Sequence, residues 1–109
     1  MWLALIALSG GIAVAAGAFG AHGASGEAAE WLKTGATYQL IHAVAALAVL
    51  DRLGGKGPAI AFLVGGAIFA FTLYAMALGA PRWFGAITPI GGTLLIVGWL
   101  WLAFTALRN

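Results

Sequence analysis

Residues 34–42 read T-G-A-T-Y-Q-L-I-H and place polar side chains inside one of the uncharged stretches of a very apolar chain. A hydrocarbon interior tolerates such groups only where they face protein, water or one another. Steps of three and four residues put Thr34, Thr37, Tyr38 and His42 on one broad helix face, with Gln39 beside them and Leu40, Ala43 and Leu47 elsewhere around the helix. The expectation is a stripe that faces protein, forming a candidate intramembrane polar site of Thr34, Thr37, Tyr38, Gln39 and His42.

Working outward, the 109 residues are 63% hydrophobic and 7% charged, which departs far from a soluble globular domain and fits a single membrane domain covering 1–109. The charges cluster as Glu27, Glu30 and Lys33, then Asp51, Arg52 and Lys56, then Arg82, then Arg108. Between them run four uncharged stretches, 1–26, 34–50, 57–81 and 83–107. At about 1.5 Å per helical residue each supplies most or all of a hydrocarbon core roughly 30 Å thick. The fold class expected is therefore an all-α integral membrane protein, a compact four-transmembrane-helix up-down bundle with spans near 2–21, 34–51, 59–78 and 89–107.

The stretch 1–26 lacks a basic segment at its start and its apolar run is long for a signal peptide, so it reads as a retained first helix. In it Ala13, Gly17 and Ala21 recur every four residues, a spacing that lets another helix approach closely. Residues 23–33 form the longest polar segment, with Ser25 placed to cap a helix and Trp31 and Lys33 as interface anchors. Those anchors start the second span near Thr34 and put His42 about 12 to 14 Å deep, near the midplane. The glycine-rich segment 52–57 is short enough to make the second and third helices antiparallel neighbours. Gly65, Gly66 and Ala70 suit close contact on the third, where Thr72 can bond back to its own helix. Thr88 and Pro89 read as the cap and first residue of the fourth helix, in which Gly91 and Gly98, seven apart, form a second packing seam.

With no carboxylate in the spans, His42 is expected as a neutral ring that points into the bundle and bonds to another helix or an ordered water. Tyr38, Thr72, Thr88 and freed backbone carbonyls are the partners in prospect. His22 falls at an interface, at a different depth from His42, so the two do not form an axial pair and no haem or other cofactor is expected. Paired carboxylates in the spans, an H-x-x-x-H spacing and a nucleophile beside a base are all missing from the sequence, which reads as that of a non-enzyme. Small multidrug transporters share the length and helix number, yet they carry a glutamate in the first helix and residues 1–26 hold no carboxylate. Five scattered basic residues are too few for a nucleic-acid surface. Arg52, Lys56 and Arg108 on one side against Lys33 and Arg82 on the other favour both termini in the cytoplasm.

Four motifs in order make the chain recognisable: G-A-F-G-A-H at 17–22, T-G-x-x-Y-Q-x-x-H at 34–42, L-Y-x-x-A-L at 73–78, and T-P-I-G-G at 88–92 with Gly98-Trp99. The chain resembles the family called domain of unknown function 423, the transmembrane protein 256-like small membrane proteins. The resemblance implies a four-helix protein, in bacteria of the inner membrane, with no established biochemical activity and no catalytic residue to carry over. Two functional readings stand. One is a non-enzymatic structural or accessory bundle, alone as a homo-oligomer or within a larger membrane complex. The other is binding or proton-linked transport of a small ligand through the His42 stripe.

Overall fold

The computed structural model describes residues 1–108, and its elements are helices: α1 Trp2–His22, α2 Gly26–Val49, α3 Lys56–Ala77, a short 3₁₀ helix Arg82–Ala86, and α4 Thr88–Arg108. Three segments, Trp2–His22, Lys56–Ala77 and Arg82–Arg108, are long and apolar enough to cross a membrane. The remaining helix, α2, carries Glu27, Glu30 and Lys33 in its first turns as well as the polar run 34–42.

Helix α2 begins at Gly26, directly after the expected cap residue Ser25, and runs without a break through the stretch expected as the second span from Thr34. Ser25 sits at the cap position with extended backbone, but its hydroxyl makes no capping bond. The turn out of α1 enters α2 through Gly26 at φ +61°, a left-handed conformation that glycine adopts without strain. Pro58 lies in the first turn of α3, where a missing amide hydrogen costs no ladder bond.

Thr88 does not cap α4. The 3₁₀ helix feeds directly into α4 through bonds from Ile87 N to Phe84 O and from Ile90 N to Ile87 O, both 2.9 Å. These occupy the backbone groups a cap would serve, and the Thr88 hydroxyl turns across to Thr72 on α3 at 2.7 Å.

Successive helices run antiparallel, as the close approaches at glycine demonstrate. A Cβ built on Gly20 would stand 3.0 Å from Leu32 Cβ, on Gly17 3.4 Å from Ala36 Cβ, and on Gly10 3.9 Å from Ala43 Cβ. Falling numbers on α1 thus meet rising numbers on α2. In the same way Gly35 faces Tyr74 and Ala70, Gly66 faces Gln39 and His42, and Gly65 and Gly98 on either side of the α3–α4 crossing face Gly91 and Phe62.

The α1 seam is corrected in one position. Ala13 is buried and Gly17 abuts Ala36, but Ala21 is exposed and Gly20 takes its place. A line drawn every four residues drifts around a helix of 3.6 residues per turn, whereas the contact line Ile6, Ser9, Ala13, Gly20 steps by three, four and seven. Gly91 and Gly98 both lie buried against α3.

The up-down order holds, but a closed, compact bundle does not form. The extensive interfaces are α1–α2, α2–α3 and α3–α4, and α1 meets α3 only lightly. Helix α4 therefore packs chiefly on α3, at an edge of a body measuring 46 × 25 × 19 Å. The glycines at 65 and 91 draw α4 onto α3, while the rings of Tyr38, Phe69 and Trp99 occupy the space between α2 and α4. Phe62, fully buried, centres the main apolar cluster with Ile6, Ala43, Ala46, Val49 and Ala59. At one end Arg82 pairs with Glu27 and lies 5.5 Å over the Trp31 ring, tying the α3–α4 connection to the start of α2.

Candidate functional site

The stripe expected on α2 divides. Gln39 is 1% exposed and His42 5%, whereas Thr34, Thr37 and Tyr38 are exposed. The buried residues Leu32, Gly35, Gln39, His42, Ala46 and Val49 define an arc that runs through Gln39. One residue turns a helix by about 100°, so a face centred on Tyr38 and one centred on Gln39 point in quite different directions. Thr37 resolves its exposure locally, donating from its hydroxyl to Lys33 O at 2.8 Å.

Gln39 joins three helices. Its Nε2 donates to Ser9 Oγ on α1 at 3.1 Å, and its Oε1 accepts from the Tyr74 hydroxyl on α3 at 2.7 Å. Gly35 makes room for that phenol, since a Cβ there would come 2.7 Å from Tyr74 Cε1. Neither Ser9 nor Tyr74 belongs to the polar stripe expected from the sequence. The signal that could find them is the set itself: polar side chains on three neighbouring helices, each needing a partner.

His42 joins α2 to α4. Trp99 Nε1–H donates to His42 Nε2 at 2.9 Å, and His42 Nδ1 lies 2.7 Å from Tyr38 O. An indole nitrogen only donates and a carbonyl only accepts, so Nε2 is bare and Nδ1 carries the hydrogen. Both ring nitrogens of a neutral imidazole are thereby used. The bond to another helix is as expected, but the partner is Trp99, an indole that the sequence places merely beside the glycine seam. Phe62 supports the pair from below, its ring 5.5 Å from His42 and 4.7 Å from Trp99. Thr72 and Thr88, the other partners in prospect, bond each other, and Thr72 also donates back toward Ile68 O and Phe69 O.

Among the described residues every buried side-chain nitrogen and oxygen has a partner, and no three His, Cys, Asp or Glu side chains converge. His22 is exposed at the end of α1 and stands apart from this network. Beside the His42–Trp99 bond, where α2 and α4 diverge, a cleft of about 590 Å³ opens, floored by Phe69 and walled by Tyr38 and His42 on one side and Gly92, Thr93 and Trp99 on the other.

Relatives include a UPF0382 membrane protein of Haemophilus influenzae, 40% identical over an alignment covering 99% of this chain and 94% of the relative. The UPF0382 inner membrane protein YgdD of Escherichia coli is 34% identical over 97% of this chain and 88% of its own. A UPF0382 membrane protein of Staphylococcus saprophyticus is 39% identical, covering 94% and 92%. No solved structure matches. The family model described as "Protein of unknown function (DUF423)" matches residues 16–92, from the middle of α1 through the α3–α4 glycine crossing, and the chain belongs to that family of membrane proteins.

Proposed function

We propose that the chain is a non-enzymatic accessory protein of the bacterial inner membrane that crosses it four times as one domain. The observation that carries this reading is the commitment of polar groups on neighbouring helices to one another: Ser9–Gln39–Tyr74, His42–Trp99 and Thr72–Thr88. Interhelical hydrogen bonds of this kind hold spans together without a substrate, each contributing about 0.6 kcal/mol on average in a bilayer. The fourth span is α2. It lies antiparallel between α1 and α3, its stretch 34–50 is uncharged, and Gln39 and His42 are paired within the protein.

Both termini lie in the cytoplasm in this reading, and the apolar outer faces of α1 and α4 meet lipid, a second copy or a larger complex. Since the chain has no cysteine, single cysteines report topology directly. Arg52→Cys should react with a membrane-impermeant maleimide only after the inner membrane is opened, and Ser25→Cys, at the other end of α2, without opening it. Labelling of both from the same side would remove the four-span reading. Native mass spectrometry after gentle extraction then tests the accessory role, which predicts a homo-oligomer or a larger assembly and is overturned by a solitary monomer.

A second reading, small-ligand binding at the polar stripe, is favoured by the cleft, because it reaches both Tyr38 and His42.

A further inference from the structure

The cleft contains one polar group that the chain leaves without a partner. Tyr38 is 46% exposed, and its hydroxyl makes no hydrogen bond among the described residues. The other hydroxyl lining the cleft, Thr93, donates to Pro89 O at 2.8 Å, as Thr37 does to Lys33 O on α2. A threonine reaches the carbonyl four residues back, but a phenol points away from its own helix and has no such recourse. In hydrocarbon an unpaired hydroxyl is costly, so Tyr38 calls for an acceptor from outside the chain. That conclusion rests on reading α2 as a span.

The walls specify the rest of the ligand. They are largely aromatic: the Tyr38 and His42 rings are nearly parallel, at 12°, and the Phe69 ring lies 4.8 Å from Tyr38, tilted by 55° to it. Trp99 closes the far end, and Gly92 opposite contributes no side chain. No charged residue lines the cleft, and both nitrogens of His42 are occupied, so neither a phosphate headgroup nor a cation finds a counter-charge. The volume of about 590 Å³ falls within the usual range for a small-molecule site. A helix from a second copy alongside Pro89–Trp99 would displace about 1,200 Å³, roughly twice what the cleft offers.

We propose that this cleft binds a neutral, membrane-dissolved quinone-type ring, flat against Phe69, with a ring carbonyl oxygen accepting the hydrogen bond of the Tyr38 hydroxyl. The ligand enters sideways from the bilayer, between α2 and α4, and its isoprenoid or alkyl tail remains in lipid.

Thermal unfolding of the purified full chain in detergent tests this, with decylubiquinone titrated as a mole fraction and decylbenzene as the control that has the tail without the oxygens. Decylubiquinone should raise the melting temperature saturably, at a half-saturating mole fraction at least about tenfold below any effect of decylbenzene. Tyr38→Phe should keep its own melting temperature and need about 5- to 10-fold more quinone, the loss of one hydrogen bond. Gly92→Leu, whose backbone accepts a Cβ at 3.8 Å from the Phe69 ring, should fold and fill the cleft, abolishing the effect. Equal effects of the two probes, or quinone binding unchanged in both variants, overturn the proposal. So does a dimer that Gly92→Leu dissociates in the absence of any quinone effect, which would assign the cleft to a second copy. The cysteine labelling above reports the four-span reading separately, so the two can fail independently.

Discussion

Neighbouring glycines at the head of α4 should respond oppositely to the same added methyl group. A Cβ on Gly91 would stand 2.3 Å from Phe69 N, 2.7 Å from Gly65 O and 2.8 Å from Phe69 Cα, against an ordinary contact of at least 3.4 Å. All three obstacles are backbone, so no rotamer change relieves them. The helices must part by about 1.1 Å at their crossing, the shortfall at the closest atom. Such a shift stretches the Thr72–Thr88 bond, now 2.7 Å, beyond hydrogen-bond range. Overpacking costs typically about 1–3 kcal/mol, and a rigid backbone obstacle belongs at the upper end. Alanine recovers about 1 kcal/mol as the better helix former, leaving Gly91→Ala about 2 kcal/mol less stable. At Gly92 the same methyl meets only the Phe69 ring, at 3.8 Å, and Gly92→Ala should gain about 0.5–1 kcal/mol. Reversible unfolding in mixed dodecylmaltoside and SDS micelles, followed by circular dichroism, measures both. Equal effects at the two positions, or a Gly91→Ala protein as stable as wild type, would refute this α3–α4 crossing.

The same assay checks the remaining expectations. His42→Leu should lose about 1–3 kcal/mol by stranding the Trp99 N–H, and His42→Gln should lose less because an amide oxygen can accept in its place. Gln39→Leu strands both the Tyr74 hydroxyl and its bond to Ser9, and should cost at least as much as His42→Leu, whereas Thr34→Val, on an exposed face, should change stability by under about 0.5 kcal/mol. Gly17→Leu should push α1 away from Ala36, which already stands at contact distance, and lower the melting temperature in detergent. Arg82→Ala should cost no more than about 1 kcal/mol, because both members of its pair with Glu27 are exposed, and the difference should shrink in salt.

Charge placement alone makes the helices legible in the sequence: eight charged residues, five basic and three acidic, leave four gaps of span length. A charge in hydrocarbon is so costly that its absence marks a segment almost regardless of context. Small residues locate the crossings for a similar reason, since only Gly or Ala allows backbones as close as Gly65 and Gly91 come. The phase of the buried face on α2 is not legible, and Ala21 shows the same difficulty on α1. In water, hydrophobicity sorts the two faces of a helix, but in lipid an outward Leu40 and an inward Ala43 satisfy their surroundings equally well.

What remains to set the phase in lipid is hydrogen bonding, and that separates the polar residues of α2 by what each can do alone. Thr37 bonds its own helix and so carries no information about facing. Gln39 has a donor and an acceptor that its own turn does not satisfy, so it must turn inward, and it meets Ser9 and Tyr74 there. His42 satisfies one nitrogen on its own helix and needs another helix for the second, which places it beside α4 with Trp99. Tyr38 satisfies nothing on its own helix and meets no acceptor across the gap, yet it lines the cleft rather than the core. Ranking side chains by the hydrogen bonds they cannot make locally, rather than by polarity, therefore orders this helix as Gln39, then His42, then the threonines. It leaves Tyr38 as the residue to which the described residues offer no hydrogen-bond partner.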